Sequence, residues 1–237
     1  MEFLFSSPTG MPLGTAGGIF PALMGTLGLG MICGLVASLL GVATAIYLRL
    51  YCQSARIESG FRIVIQCIAG IPSIVLGLFG YTFFVVSLQM GMSLMAGGLT
   101  LAIMIFPVVA VTTEKAIAEA EREQVLASYS LGASRAYTFF NLILPQCKSD
   151  ILSGIILATA YAMGATAPIM LTASVLHAGV PSSLFNPVMA LPYHLYILAS
   201  EHLSLEYAYG TALVLVGLLL FIHGIAFALF LRTRSET

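Results

Sequence analysis

The residues able to do chemistry are few in this chain: four histidines, four cysteines and ten acidic side chains among 237 residues. His177, His194 and His202 share one segment with Glu201 and Glu206, which invites a metal site, but their spacing matches no zinc pattern. No metal ligands are therefore assigned. His223 falls inside an apolar run, where a hydrogen bond to a neighbouring helix accounts for it. No Gly-x-Ser-x-Gly elbow or His-Glu-x-x-His pair occurs, so no catalytic residue is named. No glycine-rich loop ends in Lys-Ser or Lys-Thr, so the chain is not expected to hydrolyse ATP itself. Cys33 and Cys67 lie in apolar runs and Cys52 and Cys147 beside basic loops, which gives no disulfide framework.

The composition explains this poverty. Hydrophobic residues make up 59% of the chain and charged residues only 8%, with a mean hydropathy of +1.01. Soluble domains carry about 25% charged residues. Continuous apolar runs at 22–48, 63–88, 94–112, 150–174 and 208–231 predict five transmembrane helices, because a spanning helix needs roughly 20 apolar residues. The runs do not alternate apolar with polar, so a spanning barrel is not expected.

All nine Lys and Arg residues lie in alternate connections: Arg49, Arg56 and Arg62; Lys115, Arg122, Arg135 and Lys148; Arg232 and Arg234. Positive residues stay on the cytoplasmic side, so the N-terminus is expected outside and the C-terminus inside. The expected organisation is an external tail over 1–21, one all-α membrane domain over 22–231 and a cytoplasmic tail over 232–237. The domain includes a cytoplasmic insert at 113–149 and an external segment at 175–207.

Helix breakers interrupt three spans. Pro72 with nearby glycines, Pro107, and Gly164 with Pro168 suggest either close helix packing through small residues or bends that line a cavity. In the external segment, Leu191, Leu195 and Leu198 recur at helical spacing and predict a short amphipathic helix lying at the outer surface. A contact site for an external partner is the alternative there.

The insert 123–146, EQVLASYSLGASRAYTFFNLILPQ, is the long polar stretch of an otherwise oily chain. Gly132 is expected to break its first helix, Ser134 to cap a second over 135–144, and Pro145 to halt that one. Phe139 and Phe140 are expected to face water together, which calls for a partner to cover them. A loop packed on its own bundle is the plain alternative.

A glycine followed at this separation by Leu-Pro resembles the cytoplasmic loop of ABC-importer permeases. Leu126-Ala127-Ser128 stands in that loop's Glu-Ala-Ala place, Gly132 matches, Leu142 stands for its Ile, and Leu144-Pro145 match. Further stretches resemble the phosphate-importer (PstA-type) permeases: GGIFPALMGT (17–26), AGIPSIVLGLFG (69–80), TLAIMIFPVVAVTTE (100–114), LGAS (131–134), GATAPIMLTA (164–173) and ALPYHLYILAS (190–200). The resemblance implies a type I permease bundle in a bacterial inner membrane, importing phosphate as a heterodimer with a sister permease. It implies an extracytoplasmic binding protein and an ATPase dimer that uses ATP and Mg, with no cofactor bound by this chain. It also implies that Leu126, Ala127, Ser128, Gly132, Ala133, Ser134, Phe139, Phe140, Leu142, Leu144 and Pro145 couple to that ATPase. Pro72, Ser73, Pro107, Tyr161, Gly164, Thr166, Pro168 and Thr172 are candidates to line the path. Tyr161, Thr166 and Thr172 are hydroxyl donors for an oxyanion, or bond neighbouring helices.

The chain departs from that pattern. Leu126 replaces the loop's Glu, although Glu121 and Glu123 lie just upstream. Val111, Tyr161 and Ala165 stand where Arg, Arg and Glu are usual. Intramembrane charges are costly and functional, so these replacements leave open another oxyanion, such as molybdate or tungstate, or a non-transporting scaffold subunit. Such permeases also begin with a further span. Here a short tail precedes the first span, and a translocated tail and an earlier start are both open readings.

Overall fold

The computed structural model describes residues 6, 8–9, 16–120 and 122–234. Glu121 and most of the tail over 1–21 lie outside these residues, as do the side chains of Arg122, Glu123, Arg232 and Arg234. A two-residue antiparallel ladder, β1 (Pro8–Thr9) with β2 (Ala16–Gly17), precedes the helices. The helices are α1 (Phe20–Ile46, continued by a wide turn to Tyr51), α2 (Ala55–Gly70), α3 (Ser73–Gly80, continued to Ser87) and α4 (Leu94–Glu119). They continue with α5 (Arg122–Ser130), α6 (Arg135–Thr138, then a wide turn Phe139–Ile143), α7 (Leu144–Met163), α8 (Ala167–Thr172), α9 (Leu191–Ser200) and α10 (Leu205–Arg234).

Four of these stretches are long and apolar enough to cross a membrane: Phe20–Tyr51, Leu94–Glu119, Arg135–Met163 and Leu205–Phe230. A fifth crossing is available only if α2 and α3, bent by 100° to one another, count as one broken span. The core lies where α1, α4 and α7 meet, through Leu29, Cys33, Leu101, Ile105, Val109 and Ala158. Outward faces are apolar too, as at Met31, Leu35 and Leu39 on α1 and Leu213, Leu220 and Phe221 on α10. Apolar residues all round a helix suit lipid or another membrane subunit rather than water.

Of the proline expectations, the break at Pro72 holds and those at Pro107 and Pro145 are corrected. The run 63–88 is cut at Pro72, because Ile71 takes the extended backbone that precedes proline (ψ 128). Its first half begins upstream at Ala55, so the expected turn Arg49–Arg62 shrinks to Cys52–Ser54. Pro107 breaks nothing: it is buried, and α4 runs through it. Pro145 does not halt its helix either. Helix continues from Arg135 to Met163, because Pro145 stands in the first turn after the wide turn at 139–143, where a proline's missing N–H and fixed φ are tolerated.

The remaining corrections concern the run 94–112 and the external helix. The run extends to Glu119, while the run 150–174 breaks at Gly164–Thr166, where its helix breakers were expected to act. The external helix exists as α9, and its leucine face packs into the bundle. Leu191, Pro192, His194 and Leu198 are buried, Leu191 against α1 and α10, and Tyr193 packs on the main core.

Candidate functional site

Two interrupted helices meet inside the bundle. Beyond Ile71–Pro72, the first turn of α3 is closed by Val75 and Leu76 donating to the Pro72 carbonyl (2.9 and 3.2 Å). At the end of α7, Gly164 donates to Tyr161 (3.2 Å) and Ala165 to Ala162 (3.0 Å) before the chain turns into α8. The elements touch at Gly77, where a Cβ would sit 2.9 Å from the Pro168 Cα and 3.0 Å from the Ala167 carbonyl oxygen. Only glycine permits that approach. Irregular backbone at membrane depth is stable where protein or water covers it.

Around the junction, Pro72 and Gly164 are exposed and Ser73 and Thr166 half-buried. Tyr161 is 66% exposed. Pro168 and Thr172 are buried, and Pro107 is buried in the continuous α4 away from any break. The Thr172 hydroxyl donates to Pro168 in its own helix (2.8 Å) and is not free for a solute. Of the three hydroxyls singled out, Tyr161 and Thr166 are therefore the accessible ones. Val111 is partly exposed, and Ala165 packs against the main core.

The insert builds a second feature. α4 stops at Ala120, whose extended ψ of 143 separates it from α5. Gly132 then takes φ +82, a left-handed backbone that glycine adopts without cost. Ser134 accepts from the Tyr137 N–H (3.2 Å) and caps α6, and the Ser128 and Thr138 hydroxyls bond across the hairpin (2.9 Å). A shallow hollow lined by Ser128, Leu131, Gly132, Ala133, Ser134 and Tyr137 opens at this turn.

Leu126, Leu131, Tyr137 and Phe140 stand exposed, Leu131 at 88%. Ala127 and Pro145 are also exposed, and Leu142 and Leu144 half-buried. The expected exposed pair is corrected: Phe140 is 64% exposed but Phe139 is buried at 2%. Successive helical residues point about 100° apart, so one ring enters the cluster of Ala45, Ile117 and Ile143 while the other faces out.

Beside the insert, three arginines that the sequence offered only as markers of sidedness make specific bonds. Arg62 grips both Glu114 oxygens (2.6 and 3.3 Å), and Arg49 Nε lies 3.1 Å from Glu114 Oε1. Arg135 donates to the Leu50 carbonyl (2.8 Å). Sequence reasoning missed Glu114 as a site residue. Its signal was a lone carboxylate at the end of an apolar run, after Val111-Thr112-Thr113.

The histidines do not assemble, and no cluster of three metal-type ligands occurs among the described residues. His194 is buried at 2%. The Thr211 hydroxyl donates to Tyr207 (2.8 Å) and so accepts from His194 Nδ1 (3.3 Å). That leaves Nε2 as a buried acceptor without a partner, and burial pushes the ring's pKa down to about 4.

Comparison with known proteins agrees with this architecture. Residues 37–236 match the model of the binding-protein-dependent transport system inner membrane component family. A probable phosphate transport system permease protein PstA of Methanocaldococcus jannaschii is 34% identical over 206 residues, 84% of this chain and 71% of that protein. Phosphate transport system permease protein PstA 1 of Mycobacterium tuberculosis is 32% identical over 209 residues, covering 87% and 68%. Among solved structures, an inward-facing MetNI methionine ABC transporter chain superposes with a TM-score of 0.73 at 17% identity, covering 91% of this chain and 94% of that one. An amino acid ABC transporter chain gives 0.68 at 21%, with 92% of each chain covered. These likenesses show the fold. The chain belongs to the binding-protein-dependent transport system inner membrane component family, as a multi-pass permease subunit of an ABC importer.

Proposed function

We propose that this chain is half of the translocation unit of an ATP-driven importer of inorganic phosphate, paired with a sister permease. The observation that carries the cargo is identity of 32–34% to phosphate permeases over more than four-fifths of the chain. The junction of α3 and α8 lines the path, with Tyr161 and Thr166 offering hydroxyls to an oxyanion. The partner across the junction covers its exposed backbone. The hairpin around Gly132 seats on an ATPase subunit that binds ATP and Mg, and Leu131, Tyr137 and Phe140 supply its apolar contact. An extracytoplasmic binding protein delivers the ion at the opposite end. Because Arg49, Arg62 and Arg135 converge at one end of the bundle, that end is the cytoplasmic one.

Radiolabelled phosphate uptake at micromolar concentration, in cells lacking only this gene and no redundant importer, is the test. Loss of uptake that the gene restores is the expected result. Unchanged uptake sinks phosphate as the cargo. A second reading keeps the machinery and changes the ion to a molybdate-like oxyanion. It is favoured by Val111, Tyr161 and Ala165, which bring no charge to the path. Competition by unlabelled molybdate, stronger than by unlabelled phosphate, selects it. A complex that neither binds an ATPase nor moves either ion is a scaffold instead.

A further inference from the structure

The coupling hairpin and the junction lie at different places in the bundle, and something must make α2 and α3 follow the hairpin. The hydrogen-bonding groups near the basic end form one continuous series. Arg135, the first residue of α6, donates to Leu50 (2.8 Å). The adjoining Arg49 reaches Glu114 near the end of α4 (3.1 Å), and Glu114 is gripped by Arg62 of α2 (2.6 and 3.3 Å). Arg62 also holds Glu58 one turn away (2.9 Å). Glu114 is the buried member, its side chain 8% exposed against 41% and 44% for the two arginines.

α2 is attached to the bundle lightly otherwise: Ile65 is its one buried residue, packed with Leu48 and Ala110. Beyond its C-terminus the chain turns by 100° into α3, which lies on Pro168 through Gly77. α3 is also held by its own packing on α8 at Gly77 and on α4 at Gly80, against Thr100, and the Ile71–Pro72 elbow is where a shift of α2 is passed on to it.

We infer that Glu114 is a positioning residue for transport, a charged clamp that makes the α2–α3 elbow move with the coupling hairpin. This rests on the proposed ATPase-coupling role of the hairpin. The clamp suits such a role. A buried carboxylate shared by two half-exposed arginines has a defined docked arrangement, and it can be released without unpacking the apolar core. A displacement of α6 pulls on the end of α1 through Leu50. Through Arg49 and Glu114 the same pull reaches α2.

The test uses the complete complex, this chain with its sister permease and ATPase dimer, in liposomes, with phosphate uptake and ATP hydrolysis measured on the same sample. For Glu114→Gln, ATP hydrolysis is expected to persist while phosphate moved per ATP falls about tenfold, a typical size for a coupling between sites. Glu114→Asp, which keeps the charge, should recover most of the ratio. The double variant Arg62→Gln/Glu114→Gln should be no worse than the more severe single, since contacting groups are not additive. A merely structural role lowers hydrolysis and uptake together, and that result, or an unchanged ratio, overturns the clamp.

Hydrogen exchange over 73–80 and 124–138, with and without ATP and vanadate, separates this from failure of the cargo reading. In the wild type both segments should respond to nucleotide, and in Glu114→Gln only 124–138 should. A wild type that responds in both segments but moves no phosphate refutes the cargo alone. A Glu114→Gln variant whose 73–80 segment still responds refutes the clamp alone. A wild type in which 124–138 does not respond refutes the coupling role on which the clamp rests.

Discussion

At the basic end, α1, α2, α4 and α6 are joined by half-exposed arginines converging on Glu114 and by Arg135 reaching Leu50. At the opposite end the main chain makes the joints. The first N–H groups of α4 have no partners within their own helix. Ser93, Leu94 and Met95 donate instead to Thr172 (3.0 Å), Asn186 (2.9 Å) and Leu184 (2.9 Å). Val175 donates to Val188 and Val188 to Ala173 (both 3.0 Å), and Leu191 donates to the Thr26 hydroxyl (2.9 Å). Val188, Met189, Ala190 and Leu191 are essentially inaccessible. The half-exposed arginines can exchange their bonds with water at the exposed end, although the buried Glu114 carboxylate is costly to leave unpaired; buried backbone bonds have no such exchange and are costly to leave unmade. The difference separates two kinds of joint: at the basic end a charged cluster and a glycine turn, at the opposite end a plate of buried main-chain bonds.

The largest effect expected from breaking this contrast is at Gly25, where a Cβ would fall against the Met189 carbonyl oxygen. Backbone cannot yield there as a side-chain tip would. Gly25→Val should cost about 3 kcal/mol, the upper range for overpacking, read as a lowered thermal midpoint of the purified subunit in detergent. A loss under about 1 kcal/mol, the lower end of that range, would mean the plate is soft.

Acid probes the same plate at His194. Its pKa in the fold is about 4, against 6.5 for the unperturbed side chain. The neutral ring is thus the form that the fold accepts. Above pH 6.5 both folded and unfolded states are neutral and stability is full. As pH falls from 6.5 towards 4, the unfolded chain takes up a proton that the folded one refuses. At about pH 5 this removes about 2 kcal/mol. Acidic midpoints measured for the wild type and for His194→Gln should diverge over that window, and parallel curves would refute the assignment.

The sequence made the apolar runs, the insert and its punctuation legible, because they are local. Ser134 caps a helix through its own backbone neighbourhood, and the Gly132 turn needs only the φ that glycine permits. The prolines were not legible in the same way. Pro72, Pro107 and Pro145 carry one chemistry and meet three outcomes, a 100° elbow, an unbroken helix and a helix that continues from a wide turn. Which one occurs depends on neighbours distant in sequence. What covers the leucines of the helix expected at 191–200 was hidden for a related reason: they read as a membrane-surface face, but Leu191 and Leu195 pack with α1 and α10. Glu114 stayed hidden because its partners at Arg49 and Arg62 come from other elements. At the candidate path, residue types suggested Tyr161, Thr166 and Thr172 alike, and only the Thr172 bond to Pro168 separates them.

The smallest effects on stability should lie in the coupling hairpin, and they sharpen the contrast with Gly25. Ser134→Ala removes one cap and should cost about 1 kcal/mol. A Cβ added at Gly132 would have nothing within 4 Å, so Gly132→Ala meets no clash and bears only the left-handed backbone penalty of about 1 kcal/mol. The subunit should therefore remain folded and inserted. If the hairpin seats on the ATPase as proposed, phosphate uptake should nevertheless fall by much more than that small loss of stability explains, since the turn at Gly132 shapes the hairpin. Uptake at the wild-type level in both Gly132→Ala and the bulkier Gly132→Leu, with normal insertion, would take the hairpin out of coupling. The basic end would then hold a clamp with no motion to transmit.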